Sequence, residues 1–141
     1  MSYAIDRQEI IDTVYMSQGE PAHPGPLPES PLYNEQLAKQ YTEYDVAKAN
    51  EYLDKVLPEK DGNGMRLLDG KPFSFVIEIS NSFKEHVDSG KMVAKYWQAV
   101  GINAQAKPED RSLMYERKNN NDLDAMIWGG AGGRGAILDT R

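Results

Sequence analysis

Leu123-Asp124-Ala125-Met126-Ile127-Trp128, running into Gly129-Gly130-Ala131-Gly132-Gly133, is the stretch whose reading decides the fold. Leu123, Ala125, Met126 and Ile127 are apolar, whereas the preceding Asn119-Asn120-Asn121-Asp122 is too polar for a core. So short and so continuous a hydrophobic run predicts a buried central strand of a parallel sheet, whose two faces are covered by helices. Glycines at its C-terminal end let backbone approach a ligand closely, and open α/β sheets bind ligands at the carboxyl ends of their strands. Trp128, Gly129, Gly130 and Ala131 are therefore the expected ligand edge.

Upstream, the periodicities alternate between those of strands and helices. Phe73, Phe75, Ile77 and Ile79 alternate with Ser74, Val76, Glu78 and Ser80, the period of a strand with one better-buried face. Phe83, Val87, Val93, Ala94, Trp97 and Val100 fit a helix that Gly101 terminates. Ile102, Ala104 and Ala106 alternate until Pro108, and Asp110 can cap a short helix from Arg111 to Lys118 that buries Leu113 or Met114. The order over residues 73–128 is β-α-β-α-β, which right-handed crossovers turn into a three-strand, partly parallel sheet carrying helices. The fold class is α/β.

Two helices and a long loop precede that unit. Asp6 with Glu9 has the spacing of a capping box ahead of Ile10, Ile11, Val14 and Tyr15, predicting a helix from Arg7 to about Ser17 that Gly19 ends. Pro21, Pro24, Pro26, Pro28 and Pro31 then enforce an irregular loop, expected to continue to about Tyr44. Asp45 caps a second helix marked by Val46, Ala49, Leu53, Val56 and Leu57. Asp69-Gly70 is a two-residue turn signal joining Met65-Arg66-Leu67-Leu68 to Lys71-Pro72-Phe73 as a hairpin.

Composition narrows the function. A chain of 141 residues suits one domain. Its net charge of −6, with both signs interspersed, offers no basic patch, which argues against nucleic acid and anionic membrane as partners. The absence of cysteine excludes disulfides, thiolate metal sites and a cysteine nucleophile. No apolar run approaches the ~20 residues of a membrane span, and Met1 to Arg7 lacks the pattern of a signal peptide.

No catalytic constellation and no metal site is assembled. His23 and His86 have no ligand spacing, Asp61 and Asn63 begin a calcium-loop pattern that Met65 and Pro72 break, and no nucleophile elbow occurs. Asp122 with Asp124, and Glu109 with Asp110, read as a solvated face or helix caps. Trp97 reads as core; Trp128 can pack inward or offer a stacking platform. Gly130-Ala131-Gly132-Gly133-Arg134-Gly135 matches G-x-G-x-x-G after a strand, but that fingerprint also needs a following helix, a strand and an acid about 20 residues on. A nucleotide-binding enzyme domain is therefore one alternative, and a self-associating interaction domain is another. No cofactor is implied.

Several blocks resemble one family. Ala4-Ile5-Asp6-Arg7-Gln8-Glu9-Ile10-Ile11, Gly19-Glu20-Pro21-Ala22, Tyr44 to Leu53, Asp61 to Arg66, Leu68 to Pro72, Val100-Gly101-Ile102, Asp122 to Ala125 and Trp128-Gly129 are similar, in order, to the family 5 extracellular solute-binding proteins. These are receptors of ABC importers for oligopeptides, dipeptides, nickel and oligosaccharides. The resemblance implies part of the C-terminal lobe of a periplasmic-binding-protein-like fold. It also implies that the intact parent is periplasmic and closes two lobes over a small solute, peptide or oligosaccharide, before meeting ABC permease subunits. A fragment of one lobe is expected to bind negligibly alone and to expose surface through which it can form homo-oligomers. Peptide-binding members carry a Gly-Trp pair and a later acid for the peptide amine; Gly129, Gly130 and Gly133 stand in those places here, so that amine site is not implied.

Overall fold

The computed structural model describes residues 1–129. A 3-10 turn over Ser2–Ala4 leads to α1 (Arg7–Val14), where the Asp6 carboxylate accepts the Glu9 amide at 2.9 Å. The helix stops earlier than its apolar pattern suggests, because Met16 and Ser17 take positive φ before Gly19 is reached. The proline-rich loop is not irregular throughout: Asn34 caps a five-residue helix, α2 (Glu35–Lys39). Asp45 caps α3 (Val46–Val56), whose inner face buries Ala49 and Leu53.

The hairpin forms where Asp69-Gly70 places it. Leu67–Leu68 (β1) pairs antiparallel with Lys71–Pro72 (β2), and both turn residues have positive φ, as the favoured two-residue turn demands. Then follow β3 (Ser74–Ser80), α4 (Lys84–Ala99), β4 (Asn103–Glu109), α5 (Arg111–Asn119) and β5 (Ala125–Ile127). The three longer-range strands form a parallel sheet in the order β4-β3-β5.

That order corrects one expectation. Among the described residues the central strand is β3, and the Leu123–Trp128 stretch contributes a three-residue, half-buried edge strand. Hydrophobicity marked membership of the sheet without marking position in it. The face of β3 bearing Ile77 and Ile79 meets α4, and Ile102, Ala104, Ala94, Val100, Ala49, Leu53 and Tyr3 complete the core. Each fully buried isoleucine there contributes about 1.5–3 kcal/mol relative to leaving it in water. Gly90 lets α4 lie close, since a Cβ there would stand 2.3 Å from Ile79 Cδ1.

Arg66 ties this core to the hairpin. It is fully buried, and its guanidinium donates to the Val100 carbonyl (2.9 Å), the Leu57 carbonyl (2.8 Å), Asn50 Oδ1 (2.8 Å) and Asp54 Oδ1 (2.7 Å). Its backbone amide donates to the Gly101 carbonyl at 2.7 Å. One side chain thus joins the end of α3, the hairpin and the end of α4. Gly101, at φ +86°, makes this junction tight: a Cβ would lie 2.6 Å from the Gly64 carbonyl oxygen.

Removing the guanidinium leaves buried acceptors unpaired, so Arg66→Met should cost about 3–5 kcal/mol in urea unfolding. Asp54→Asn should cost far less, because that carboxylate is 55% exposed and solvent screens its charge. Gly101→Ala should cost about 1–3 kcal/mol from backbone strain, plus the clash with Gly64. Equal effects of Arg66→Met and Asp54→Asn would refute the junction role.

Candidate functional site

The carboxyl ends of β3, β4 and β5 lie on one edge of the sheet, at Ser80, Glu109 and Ile127. Three segments leave from it: Asn81 to Phe83 into α4, Asp110 into α5, and Trp128-Gly129 beyond β5. Hydrogen bonds hold the first two in place. Asn81 N donates to the Glu109 carbonyl at 2.9 Å, and Asp110 caps α5 by accepting the Ser112 amide at 2.8 Å.

Trp128 is half-buried at this edge, surrounded by side chains of two helices. Its ring meets Tyr115 edge-on at 5.2 Å, Phe83 at 6.1 Å and His86 at 6.4 Å. The Arg111 guanidinium lies 4.9 Å over its ring, a cation–π arrangement. The indole therefore joins the start of α4 to α5, neither sealed in the core nor standing free. Gly129 is exposed, and a Cβ there would meet nothing within 4 Å. Gly130 and Ala131, with the glycine motif from Gly130 to Gly135, lie outside the described residues.

The other marked residues divide cleanly. Trp97 packs on Phe75 at 5.4 Å, half-buried against the core. Asp61 Oδ1 accepts the amides of Asn63 and Met65, so the turn uses the oxygen that a calcium loop would offer the ion. Among the described residues no group of three or more histidine, aspartate or glutamate side chains could hold a metal.

Sequence reasoning missed the second face of β3. Glu78 and Ser80, expected on the less buried face, are fully buried, and Glu109 is only 7% exposed, which corrects its reading as a solvated acid. Glu78 Oε1 contacts Arg117 Nη1, while Lys107 Nζ lies 3.0 Å from Glu109 Oε2 and 3.7 Å from Glu78 Oε1. Arg117 also reaches Asp122, and Asp124 accepts the Val76 amide at 3.2 Å. Burial, and next the neighbouring Glu109 charge, hold the Glu78 carboxyl above its ordinary range against the pull of Arg117 and Lys107. The one signal in the sequence was a glutamate set between two isoleucines in an apolar strand.

A groove of about 300 Å³ lined by Val76, Glu78, Arg117 and residues 121–124 opens on this face. Another of about 190 Å³ lies in the proline-rich loop, among His23, Pro26, Tyr33 and Leu37. Neither is lined by Trp128 or Gly129.

Comparison with known proteins covers nearly the whole chain. Residues 1–136 match the family model described as bacterial extracellular solute-binding proteins, family 5 Middle. The oligopeptide-binding protein AppA of Bacillus subtilis (strain 168) is 30% identical over 135 residues, which are 92% of this chain and 24% of that protein. Among solved structures, an oligopeptide-binding protein OppA aligns with a TM-score of 0.84 at 36% identity, covering 92% of this chain and 20% of that one. A mannohexaose-bound periplasmic oligopeptide-binding protein from Thermotoga maritima aligns at 0.81 with 28% identity, covering 96% of this chain and 26% of that one. The chain spans about a quarter of the length of the curated relatives it matches.

If Arg111 serves as a cover for the indole, Arg111→Ala should leave the fold intact, cost about 0.5–1 kcal/mol, and shift Trp128 emission to longer wavelength. An unchanged spectrum would show that the stacking is incidental.

Proposed function

We propose, for a chain that belongs to the bacterial extracellular solute-binding proteins, family 5, that it supplies part of the C-terminal lobe of an ABC-importer receptor. Its own share of the ligand site is the strand-end rim of Trp128, Gly129, Gly130 and Ala131. The observation that carries this reading is the open backbone at Gly129, beside a half-buried indole and at the carboxyl edge of three parallel strands. Backbone without a side chain can approach a solute's own amides or hydroxyls, and a tryptophan edge supplies apolar contact area.

The solute is a small peptide or an oligosaccharide. The names of the relatives support both classes, one being an oligopeptide-binding protein and another having mannohexaose bound. The mechanism is closure of two lobes over the solute, which removes it from water, followed by docking of the closed form on permease subunits in the membrane. Such a receptor works outside the cytoplasm, in the periplasm where there is an outer membrane. The role needs no bond-making group, and binding alone accounts for the residues at the rim.

One lobe is half a cleft. A solute resting on this chain alone keeps most of its hydration, so the 141-residue chain should show no binding heat with peptides or manno-oligosaccharides at millimolar concentration. The intact receptor that contains it should bind one of the two classes at micromolar or tighter, and Trp128→Ala there should weaken binding about tenfold or more, the loss of a buried aromatic contact. Heat with neither class, or an unchanged affinity in Trp128→Ala, would overturn the proposal.

A further inference from the structure

The polar face of the sheet holds an anomaly. Glu78 Oε2 and both carboxylate oxygens of Glu109 are buried with no hydrogen-bond partner. Buried polar atoms are nearly always satisfied, and leaving a charged one unmade costs more than leaving a neutral one. Two cations are close, but they do not cure the deficit: Lys107 Nζ is 3.0 Å from Glu109 Oε2 in an alignment that makes no hydrogen bond, and Arg117 engages Glu78 Oε1. The orphaned oxygens are themselves sealed from solvent, although the Glu78 side chain also borders the open groove beside Asp122 and Asp124. A proton needs no room.

The two carboxyl groups are placed to share it. Glu78 pairs across the sheet with Lys107, and Glu109 pairs with Ser80, so the glutamates stand diagonally on one face of adjacent strands, and Lys107 Nζ and Arg117 Nη1 each lie within 3.7 Å of a carboxylate oxygen of both. We infer that Glu78 and Glu109 hold one proton between them, donated from the Glu78 carboxyl to the Glu109 carboxylate, and that this proton governs how firmly α5 sits on the sheet beside Trp128. The shared proton gives two orphaned oxygens a bond and removes one of two like charges from a site of low polarity.

The charged groups facing the pair come from every element around it. They are Lys107 on β4, Arg117 on α5, and Asp122 and Asp124 on the segment leading to β5, whose own inward neighbour, Met126, is neutral. The elevated proton affinity of Glu78 has the same origin, burial first and Glu109 second. α5 is held by the Arg117 contact and by buried Met114, and it carries the Arg111 and Tyr115 that cover the Trp128 ring. Loss of the proton leaves two buried carboxylates repelling each other under that helix. Arg117, which stands against both carboxyls, must readjust, and α5 and the surroundings of the indole shift with it.

The sign for stability follows from the direction of the shift. A carboxyl whose proton affinity is higher in the folded chain contributes stability that is full below its unfolded value of 4.5 and is lost as pH rises through its folded value.

The test is a titration of the whole chain, labelled with carbon-13 at the glutamate side-chain carboxyls, followed by NMR from pH 3 to 9. One carboxyl, identified by its absence in Glu78→Gln, should titrate above 4.5, and the Trp128 indole signal should move at the same midpoint. Glu78→Gln keeps a donor toward Glu109, so its indole signal should lose the step at that midpoint, any step from His86 beside the ring being common to both chains, and its unfolding free energy relative to the parent should rise with pH. Should Glu78→Gln fail to fold, Glu109→Gln identifies the pair and the titration of the unaltered chain decides alone. Both carboxyls titrating at or below 4.5, or an indole signal that ignores them, would overturn the inference.

Discussion

The frame behind the rim depends on how the Arg66 guanidinium is buried. A cation without solvent is tolerable only when nearly all its donors are used, and here four go to acceptors from α3, its end and the end of α4. Two of those acceptors are backbone carbonyls that the ends of helices leave open, so the arginine satisfies both helices at once. Lysine in its place offers a compact ammonium that cannot span the same fork. The hairpin, α3 and α4 are thereby fixed in one frame, and α4 in turn sets where Phe83 and His86 stand against Trp128.

From that frame the two faces of the sheet take different parts. The face toward α4 is apolar and close-packed, with Gly90 letting the helix approach. The face toward α5 is held by charge, through Glu78, Glu109, Lys107 and Arg117. A close-packed apolar face is insensitive to pH, whereas a face seated on buried ion pairs responds to any change in their protonation. The side of the rim that answers to pH is accordingly the α5 side, and the indole at the strand end lies between the two.

Much of this architecture is legible in the residues. Alternation over 73–80, the helical spacing from Phe83 to Val100, the caps at Asp6, Asp45 and Asp110 and the turn at Asp69-Gly70 all report local rules, and local rules decide which segments become helix, strand or hairpin. What they do not report is neighbourhood. Leu123 to Trp128 is apolar enough for a centre strand and stands at the edge among the described residues, because strand order is set by tertiary pairing. The small helix at Glu35–Lys39 follows from an asparagine cap inside a loop whose prolines dominate its composition. Arg66 and Glu78 look like surface residues in sequence, and their burial becomes intelligible only once partners many residues away are brought beside them. At the rim, the strand-then-glycine pattern located Trp128 and Gly129 without revealing that two helices enclose the ring.

The central claim is that this rim faces a captured solute, and the most direct measurement is a crystal structure of the intact receptor grown with its solute. The account predicts solute atoms within about 4 Å of the Gly129 backbone and of the Trp128 ring, the separation of ordinary packing contact. A solute seated elsewhere, with Gly129 still open to water in the closed form, would contradict it.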